Sequence, residues 1–375
     1  MMKRKSKMTD NEIFDKDTKL EVSRVVIQSD KNYIIQNYVR FKMLPFHKNC
    51  FFKGSPRTLN KKPLIVLEDP LYYFDNLKFI MEIHNGFRDS PDIKSASIVG
   101  LVSLEEKKYV LKSIPYAHQD TTEKSLTIKL GLSEAQFLME IQHKNIVQCY
   151  GVVHDTEGQE LHIFFEYLRG NDLFTITNRH LYTFDYTFST KKIKGWITQI
   201  LKGLDALHKK NIIHRDIKLE NIFLCKDGTI KILDLGLSNK LKNGERVYTR
   251  GGSIYTVAPE ILKGQGAGKT ADFWGLGIIT YMMLTGCHLF DDKYKDHNKI
   301  IDKIKNFKNL KVPKKLKKKK YKLIVDLMSK LLEPDYKKRI GYKNGIAEIF
   351  KHPFLKDAGK ESIKNKYKSP TSKPT

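Results

Sequence analysis

The sequence predicts an α+β fold in two lobes. Up to about residue 167, short segments that alternate or carry β-branched residues dominate the chain, which is typical of strands. Beyond Gly170, apolar residues recur mainly at helical spacing. A strand-rich part followed by a helical part indicates an α+β arrangement. The 375 residues, 40% of them hydrophobic, are enough for one large domain or two of ordinary size.

The strands of the first lobe begin with a predicted hairpin. Residues 97–104 and 108–114 are apolar and β-branched, and the charged stretch 105–107 separates them as a turn. Further short strands are expected around residues 146–153 and 161–167.

Helical patterns occur at three places. Leu130, Glu134 and Leu138 recur at helical spacing within the strand-rich part. Longer amphipathic patterns cover residues 193–208 and 271–284. The last two predict the main helices of the second lobe.

The charge of the chain is uneven. Its 68 basic and 42 acidic side chains leave a formal net charge of +26, which favours polyanions such as nucleic acid, acidic proteins or an anionic membrane surface. Positive charge is concentrated at the start, in residues 314–322 with seven lysines, and in the lysine-rich end 356–375. Each run is also compatible with a solvated surface that only aids solubility.

The sequence also predicts where the protein resides. No run of about 18 apolar residues is present, and the basic start lacks the apolar stretch of a secretory signal. We therefore expect an intracellular protein with no transmembrane segment. Its cysteines lie too far apart in sequence for a close-spaced metal pair or a disulfide framework, so we expect reduced thiols at Cys50, Cys149, Cys225 and Cys287.

Two stretches carry residues suited to chemistry. Residues 214–221, HRDIKLEN, place an acid, a base and an amide in one short loop, although such a loop is often only solvated. Asp234 follows Asp216 by eighteen residues, at the end of an apolar strand, where a carboxylate can hold a metal ion. Phosphoryl transfer from ATP requires Mg²⁺, a group that orients the attacking hydroxyl and a cation on the phosphates. Asp216, Lys218, Asn221 and Asp234 supply this set.

Three motifs in this order resemble the signature of the eukaryotic-type serine/threonine protein kinase family: HRDIKLEN at 214–221, DLG at 234–236 and APE at 258–260. The resemblance runs from roughly residue 86 to 355 and is specific, because several independent motifs coincide. It implies a two-lobed protein kinase fold, with a small antiparallel-sheet N-lobe that carries the αC helix and a larger helical C-lobe. It also implies ATP and Mg²⁺ as cofactors and a protein substrate.

The resemblance assigns roles to four C-lobe residues. Asp216 matches the catalytic base that accepts the proton of the substrate hydroxyl, and Lys218 matches the cation that steadies the γ-phosphate. Asn221 and Asp234 match the Mg²⁺ ligands. A lysine two residues after the aspartate is the serine/threonine form of this loop, whereas tyrosine kinases usually place alanine and arginine there. The implied reaction is transfer of the γ-phosphoryl group of ATP to protein serine or threonine hydroxyls.

The resemblance also implies nucleotide-binding residues. Lys112 in YVLK resembles the lysine that binds the ATP phosphates, and Glu134 resembles its ion-pair partner on the αC helix. The stretch FFEYL at 164–168 resembles the hinge, where main-chain groups of Glu166 and Leu168 would pair with adenine. A plain buried strand is compatible with the same residues, because the hinge uses main chain.

The adenine-lining residues depart from the family pattern. Val110 replaces a customary alanine above the adenine, and Phe223 replaces a common leucine below it. These two changes predict a tighter adenine pocket. Val99 matches the usual valine of the nucleotide-binding loop and is also expected to contact the nucleotide.

The glycine-rich loop is also degenerate. With Val99 aligned to the family's valine, Asp92, Lys94 and Ser97 take the places of the glycines. Glycine lets backbone amides approach phosphates closely, so side chains here should weaken or reshape ATP binding. The alternative function is therefore a kinase-fold scaffold with weak or no catalysis. A third hypothesis is a polyanion-binding protein that works through the basic runs.

The activation segment carries two candidate residues. Arg215 is expected to pair with a phosphate on Thr249, and phosphorylation is then expected to raise activity. An unmodified exposed threonine is the alternative. Ser253 keeps the hydroxyl that the family carries before the APE motif.

Other positions imply structural roles and a substrate preference. Asp272 resembles the aspartate that braces the catalytic loop, and Arg339 resembles the arginine that pairs with Glu260. Met282 stands where arginine-directed kinases often carry glutamate. Because the chain is so positive, acidic protein substrates are favoured.

The predicted domain organisation has three parts. Residues 1–85 form a basic extension that is partly disordered, although residues 21–28 and 33–41 alternate as strands do. Residues 86–355 form the kinase domain, with the N-lobe at about 86–167 and the C-lobe at about 168–355. Residues 356–375 form a basic disordered tail.

Overall fold

A computed structural model describes residues 21–29, 32–40, 78–85 and 97–356, apart from 105, 118, 156–158, 185–187, 243–244, 250 and 291–295. The described residues fall into two compact units. The first unit comprises the described residues up to Met139 together with 148–167, and the second comprises 140–147 and those from Leu168 onward. The predictions made for residues 1–20, for residues 357–375, and for Asp92 and Lys94 lie outside the described residues.

The first unit contains a hairpin and a five-stranded antiparallel sheet. Strands β1 (Glu21–Ser29) and β2 (Asn32–Arg40) pair to form the hairpin. The sheet has the order β3-β4-β5-β7-β6, with β3 (Lys78–Asn85), β4 (Ile98–Leu104), β5 (Lys107–Pro115), β6 (Cys149–Asp155) and β7 (Glu160–Glu166). The hairpin predicted near residue 100 is formed by β4 and β5.

Strand β5 shows how the sequence builds this sheet. Tyr109, Leu111 and Ser113 are buried, while Val110 and Lys112 between them are half-buried. Successive side chains of a strand point to opposite faces, so this alternation places Lys112 on the face opposite to Leu111.

Helix α1 (Thr121–Glu140) begins at a capping residue, because Asp120 Oδ1 accepts hydrogen bonds from the amides of Thr122 (2.8 Å) and Glu123 (2.9 Å). A Cβ on Gly131 would lie 2.3 Å from Leu161 Cδ2, so glycine permits the helix to approach β7 closely. The buried face of the helix follows helical spacing, at Gly131, Glu134, Ala135 and Leu138.

The second unit is mainly helical. Its helices are α2 (Leu173–Phe184), α3 (Thr190–Lys209), α4 (Pro259–Leu262), α5 (Lys269–Thr285), α6 (His297–Lys305), α7 (Lys322–Leu331) and α8 (Gly345–Phe350). Two small antiparallel sheets, ordered β11-β10-β8 and β12-β9, are built from β8 (Gly170–Asp172), β9 (Ile212–Ile213), β10 (Ile222–Cys225), β11 (Ile230–Ile232) and β12 (Asn239–Lys240). None of the described helices is long and apolar enough to cross a membrane.

Helices α3 and α5 supply much of the core of the second unit. In α3, Ile193, Ile197 and Ile200 are fully buried at helical spacing. Helix α5 is buried on nearly all sides, because it packs against both α3 and α7. A Cβ on Gly275 of α5 would lie 2.8 Å from the carbonyl oxygen of Ile217, so the helix backbone supports the loop that carries Ile217.

The observed architecture confirms the predicted α+β class. The antiparallel sheet with its helix α1 forms one unit, and the helices from α2 onward form the other. The patterns at 193–208 and 271–284 fall within α3 and α5.

Candidate active site

An ion pair joins strand β5 and helix α1 in the first unit. Lys112 Nζ lies 2.9 Å from Glu134 Oε2 and 3.1 Å from Oε1. The Glu134 side chain is only 1% exposed, and a carboxylate taken out of water is costly unless it is paired. The structure brings these two predicted residues together, and their role in nucleotide binding stays a prediction.

Three predicted nucleotide-binding residues share one face of the sheet. Val99 on β4 is paired with Lys112 on β5, and residues directly opposite each other point to the same side. Val110 precedes Lys112 by two residues, which returns it to that side. On β7, the strand next to β5 in the sheet, Phe165 lies opposite Val110 and so points to the same face. This face presents the apolar side chains of Val99, Val110 and Phe165 beside Lys112.

The carboxylate of Asp216 is held by three donors in the second unit. Its Oδ2 forms an ion pair with Lys218 Nζ at 2.7 Å and accepts a hydrogen bond from Asn221 Nδ2 at 3.0 Å. Its Oδ1 accepts a hydrogen bond from the backbone amide of Ser253 at 2.9 Å. Asp216 is only 4% exposed, so its orientation is fixed by these contacts.

Asn221 connects this loop to the stretch that carries Asp234. Its Nδ2 also donates to the carbonyl of Asp216 at 2.9 Å, and its own carbonyl accepts the amide of Leu233 at 2.9 Å. Asp234 is exposed, has a φ of 52°, and accepts the amide of Gly236 at 3.2 Å. Aspartate tolerates this left-handed backbone better than most residues.

The donor set suits a hard cation that retains other ligands. Asn221 and Asp234 offer an amide oxygen and a carboxylate, which are oxygen ligands of the kind that Mg²⁺ accepts. Within the described part of the chain, no group of three or more histidine, cysteine, aspartate or glutamate side chains is arranged to hold a metal. Mg²⁺ is usually bound through one or two carboxylates together with substrate phosphates. Asn221 and Asp234 therefore fit a Mg²⁺ ion that is also bound by the phosphates of ATP.

A buried aspartate on α5 braces the loop before Asp216. Asp272 Oδ1 accepts the amide of Arg215 at 2.8 Å, and Oδ2 accepts the amide of His214 at 3.0 Å and His208 Nε2 at 2.7 Å. Burial by itself raises the pKa of Asp272, but the hydrogen bond and charge of His208, the charge of His214 and the amide of Arg215 outweigh it and hold the pKa below its ordinary value. The ionised carboxylate therefore fixes the backbone of the loop.

A second buried pair lies beneath the APE motif. Arg339 Nη1 and Nη2 donate to Glu260 Oε1 and Oε2 at 2.7 and 2.8 Å, and both side chains are fully buried. The guanidinium also donates to the carbonyls of Thr270 (2.9 Å) and Glu333 (2.8 Å). This is the bidentate arrangement that arginine and carboxylate favour, and it ties the motif to the helices.

Comparison with known proteins decides the family. The model of the family described as "Protein kinase domain" matches residues 94–355. The chain belongs to the protein kinase family. Membership implies ATP and a divalent metal ion as cofactors, and it confirms the resemblance drawn from the three motifs.

Curated relatives carry the same family name. The "cAMP-dependent protein kinase catalytic subunit" of Dictyostelium discoideum is 32% identical over 235 residues, which cover 62% of this chain and 33% of the relative. Human "Ribosomal protein S6 kinase alpha-2" is 32% identical over 243 residues, or 64% and 31% of the two chains. "Serine/threonine-protein kinase STE11" of Saccharomyces cerevisiae is 38% identical over 164 residues, or 42% and 22%. The matched region thus spans about a third or less of these relatives' length.

The activation segment of this kinase contacts Arg215 directly. Arg215 has a φ of 71°, and its Nη1 donates to Thr249 Oγ1 at 3.0 Å and to the Leu237 carbonyl at 3.3 Å. Further bonds go to Asn239 Oδ1 and to the Thr249 carbonyl, while Nε is buried with no hydrogen-bond partner among the described residues. Every acceptor is neutral, and burial lowers the pKa of Arg215, although Asp272 opposes this effect. Among the residues that the structure describes, no anion is bonded directly to this guanidinium.

The motifs did not reveal a second arginine contact of the segment. Arg246 Nε and Nη2 donate to the carbonyls of Gln265 and Gly266, each at 2.6 Å, and its guanidinium carbon lies 3.8 Å from the ring centre of Tyr336. Beside it, Val247 and Ala267 exchange backbone hydrogen bonds of 2.9 and 2.7 Å. We call this set the Arg246 clamp. Its partners are carbonyls and a ring ninety residues downstream, so no local sequence signal points to it.

The remaining predicted nucleotide-binding residues, Glu166, Leu168 and Phe223, differ in their contacts and burial. The amide of Glu166 donates to the Gln148 carbonyl at 3.0 Å, and its Oε1 accepts the Gln148 amide at 2.8 Å. Leu168 is half-buried. Phe223 on β10 lies opposite Asp172 on β8 in the antiparallel ladder. The Asp172 carboxylate accepts hydrogen bonds from the amide and the hydroxyl of Thr175, both of 2.7 Å. Asp172 therefore caps α2.

Proposed function

We propose that this chain is a serine/threonine protein kinase that transfers the γ-phosphoryl group of ATP to hydroxyl groups of proteins. The observation that carries the proposal is the fixed carboxylate of Asp216, held by Lys218, Asn221 and the Ser253 amide. A carboxylate in a fixed orientation can accept the proton of a hydroxyl while the hydroxyl oxygen bonds to the γ-phosphorus. The bond from that phosphorus to the bridging oxygen breaks, and ADP leaves.

The other predicted residues bind and neutralise the triphosphate in this proposal. Lys112, oriented by Glu134, binds ATP phosphate oxygens, and Lys218 steadies the charge on the γ-phosphate. Asn221 and Asp234 hold Mg²⁺, which when bound neutralises charge on the phosphate oxygens. Val99, Val110, Phe223 and the main chain of Glu166 and Leu168 contact adenine.

Two features support serine and threonine as the acceptors. Lys218 stands two residues after the proposed base, which is the serine/threonine form of the loop. The yeast relative at 38% identity is itself named a serine/threonine kinase. We propose acidic proteins as the preferred substrates, because the chain carries a net charge of +26.

We also propose that phosphorylation of Thr249 raises activity. Thr249 is exposed and in contact with Arg215, whose described acceptors are all neutral. A phosphate would supply the missing charge and form charge-assisted hydrogen bonds. Turnover of fully phosphorylated protein is expected to exceed that of Thr249→Ala several-fold, and equal turnover would contradict this role.

One assay tests the proposed function. Purified protein is incubated with labelled ATP, Mg²⁺ and a generic protein acceptor, beside the Asp234→Asn variant. We expect incorporation on serine and threonine, and its disappearance in the variant, because the carboxylate that holds the metal is removed.

The matched control is Asp205→Asn, which removes the same charge from a side chain that is 36% exposed and pairs with Lys209 at 2.6 Å. An exposed pair of this kind contributes little, so activity should be retained. Absence of incorporation in the unchanged protein, with ATP still bound, would instead favour the kinase-fold scaffold suggested by Ser97 and its neighbours in the nucleotide-binding loop. Label on tyrosine would contradict the proposed specificity.

A further inference from the structure

A folded stretch of the second unit carries a dense positive charge that the proposed catalysis does not use. Residues 303–325 contain eleven lysines and no acidic residue. Eight of these lysines lie within twelve consecutive residues, and every one of the eight is exposed. We call them the lysine surface: Lys311, Lys314, Lys315, Lys317, Lys318, Lys319, Lys320 and Lys322.

The backbone beneath the lysine surface is anchored in the core. Leu316 and Ile324 are 2% and 1% exposed. Between them run two short 3-10 turns, Lys314–Leu316 and Lys319–Tyr321. Lys315 Nζ also donates to the carbonyl of Thr285 at 2.9 Å. The lysines therefore stand on a fixed support and cannot be presented as an extended peptide without unfolding this part of the domain.

The charge of this surface has no acidic counterpart within the structure that is described. None of the eight lysines forms an ion pair with a described residue. The next acid along the chain, Asp326, already accepts hydrogen bonds from Lys330 (2.8 Å) and His352 (2.7 Å). Like charges held together on a fixed surface repel one another, and an anionic partner relieves that repulsion.

Two further observations identify the class of partner. The charge comes entirely from lysine, a point charge, and not from the planar groups of arginine, asparagine or glutamine that read base edges. At its edge Leu323 is 47% exposed, and Tyr321 lies beside it with Lys320 Nζ 4.9 Å from its ring centre. An apolar side chain next to lysines and a tyrosine suits the boundary between lipid head groups and acyl chains.

We propose that the lysine surface docks this protein on an anionic lipid membrane. The lysines attract the head-group phosphates and carboxylates, and Leu323 enters the outer acyl region while Tyr321 stays at head-group level. The interaction is peripheral and electrostatic, so salt weakens it. It does not depend on the proposed phosphotransfer.

Co-sedimentation of the full chain with vesicles tests the proposal. Phosphatidylcholine vesicles with about 30% phosphatidylserine are compared with pure phosphatidylcholine at low and high salt. We expect binding to the anionic vesicles only, and loss of that binding at high salt. Changing Lys317, Lys318, Lys319 and Lys320 to glutamine should weaken it roughly tenfold or more.

A matched control separates the surface from net charge. Four other exposed lysines of the same unit, changed to glutamine together, remove the same charge elsewhere: Lys337, Lys338, Lys343 and Lys351. This variant should bind within about twofold of the unchanged protein. Equal losses in the two variants would overturn the proposal, because binding would then follow net charge alone.

Leu323→Ser distinguishes a membrane from nucleic acid, the other polyanion. It should weaken vesicle binding several-fold and leave binding to a random duplex DNA unchanged. Tighter binding to the duplex than to the vesicles, with no effect of Leu323→Ser on either, would overturn the proposal in favour of nucleic acid. Melting curves establish whether each variant is folded. If the variant with four lysines changed to glutamine is unfolded, Leu323→Ser and the salt series test the proposal instead.

Discussion

Two ion pairs, Lys112 with Glu134 and Arg339 with Glu260, are similar in distance but differ in exposure. Both side chains of the Arg339 pair are fully buried, and the guanidinium donates to two carbonyls as well. Lys112 is 16% exposed while its partner is 1% exposed. A cation enclosed on all sides holds the fold, whereas a partly exposed one can also reach a ligand. The comparison separates a structural pair from a candidate functional one.

The largest effect on stability is expected at Arg339. Arg339→Met leaves Glu260 buried without its partner and should lower the free energy of unfolding by about 3–5 kcal/mol. Chemical denaturation measures this loss. The exposed neighbour provides the control, since Lys338→Met should change the free energy of unfolding by less than about 0.5 kcal/mol. Equal effects at the two positions would contradict a structural role for the pair.

A change at Lys112 should affect activity strongly and stability less than a change at Arg339 does. Lys112→Met is expected to lower phosphotransfer by about 10²–10³-fold, because a cation on the developing phosphate charge is lost. Its unfolding free energy should fall by less than that of Arg339→Met. Lys108→Met, an exposed lysine on the same strand, is the control and should retain activity. If both lysine variants lost activity equally, the assigned role would be wrong.

A smaller effect is expected for the Arg246 clamp. Arg246→Ala removes two charged hydrogen bonds and the contact with Tyr336, and should loosen the segment by about 1–2 kcal/mol. Hydrogen exchange at the amides of Val247 and Ala267 should accelerate accordingly. Arg246→Lys keeps the charge but loses the planar fork of the guanidinium. Its exchange rates should therefore lie between those of the unchanged protein and those of Arg246→Ala. Unchanged exchange would show that the backbone pairing alone holds the segment.

Two carboxyls, the half-buried Glu160 and the buried Asp272, should give the mildest effects, with opposite dependence on pH. Burial, together with the charge of Asp155, raises the pKa of Glu160 from 4.5 to about 7, so the folded state binds its proton more tightly than the unfolded state. The contribution of Glu160 to stability should therefore fall as pH rises from about 4.5 to about 7. The pKa of Asp272 is lowered, so its contribution is present above the ordinary value of 3.8 and is lost as pH falls through the folded-state value.

Unfolding free energy measured against pH separates the two groups. Relative to the unchanged protein, Glu160→Gln should gain stability as pH rises toward neutral, because the contribution of Glu160 that falls over this interval is removed. Asp272→Asn should reduce the decline in acid. The nearby His162, whose pKa burial lowers from 6.5 to about 4, contributes in the opposite direction, because its contribution to stability rises with pH over that interval. Identical pH profiles for the unchanged protein and Glu160→Gln would contradict the assigned environment.

Local spacing predicted the parts of the fold and site that depend on consecutive residues. Asp216, Lys218 and Asn221 lie within one loop, so their mutual contacts follow from a single motif. Asp272 and Arg339 were indicated only by family resemblance, because their partners are distant in sequence. Their contacts with Arg215 and Glu260 are present in the structure.

Other features gave no periodic signal. Helix α1 begins at Thr121, nine residues before the predicted pattern at Leu130, because its first turns are mostly exposed and carry no apolar stripe. Strands β9 and β12 contain two residues each and are too short for alternation to show. The Arg246 clamp uses carbonyl acceptors, which every residue carries, so only the tertiary structure identifies it.

The most direct test of the account is the activity of Asp216→Asn. Asparagine keeps the shape of the side chain but cannot accept the substrate proton as a carboxylate does. Turnover with ATP and a protein acceptor should fall by about 10²–10⁴-fold while ATP affinity stays unchanged, and a melting curve establishes that the variant is folded. Turnover equal to that of the unchanged protein would contradict the assignment of Asp216 as the base and the proposed mechanism with it.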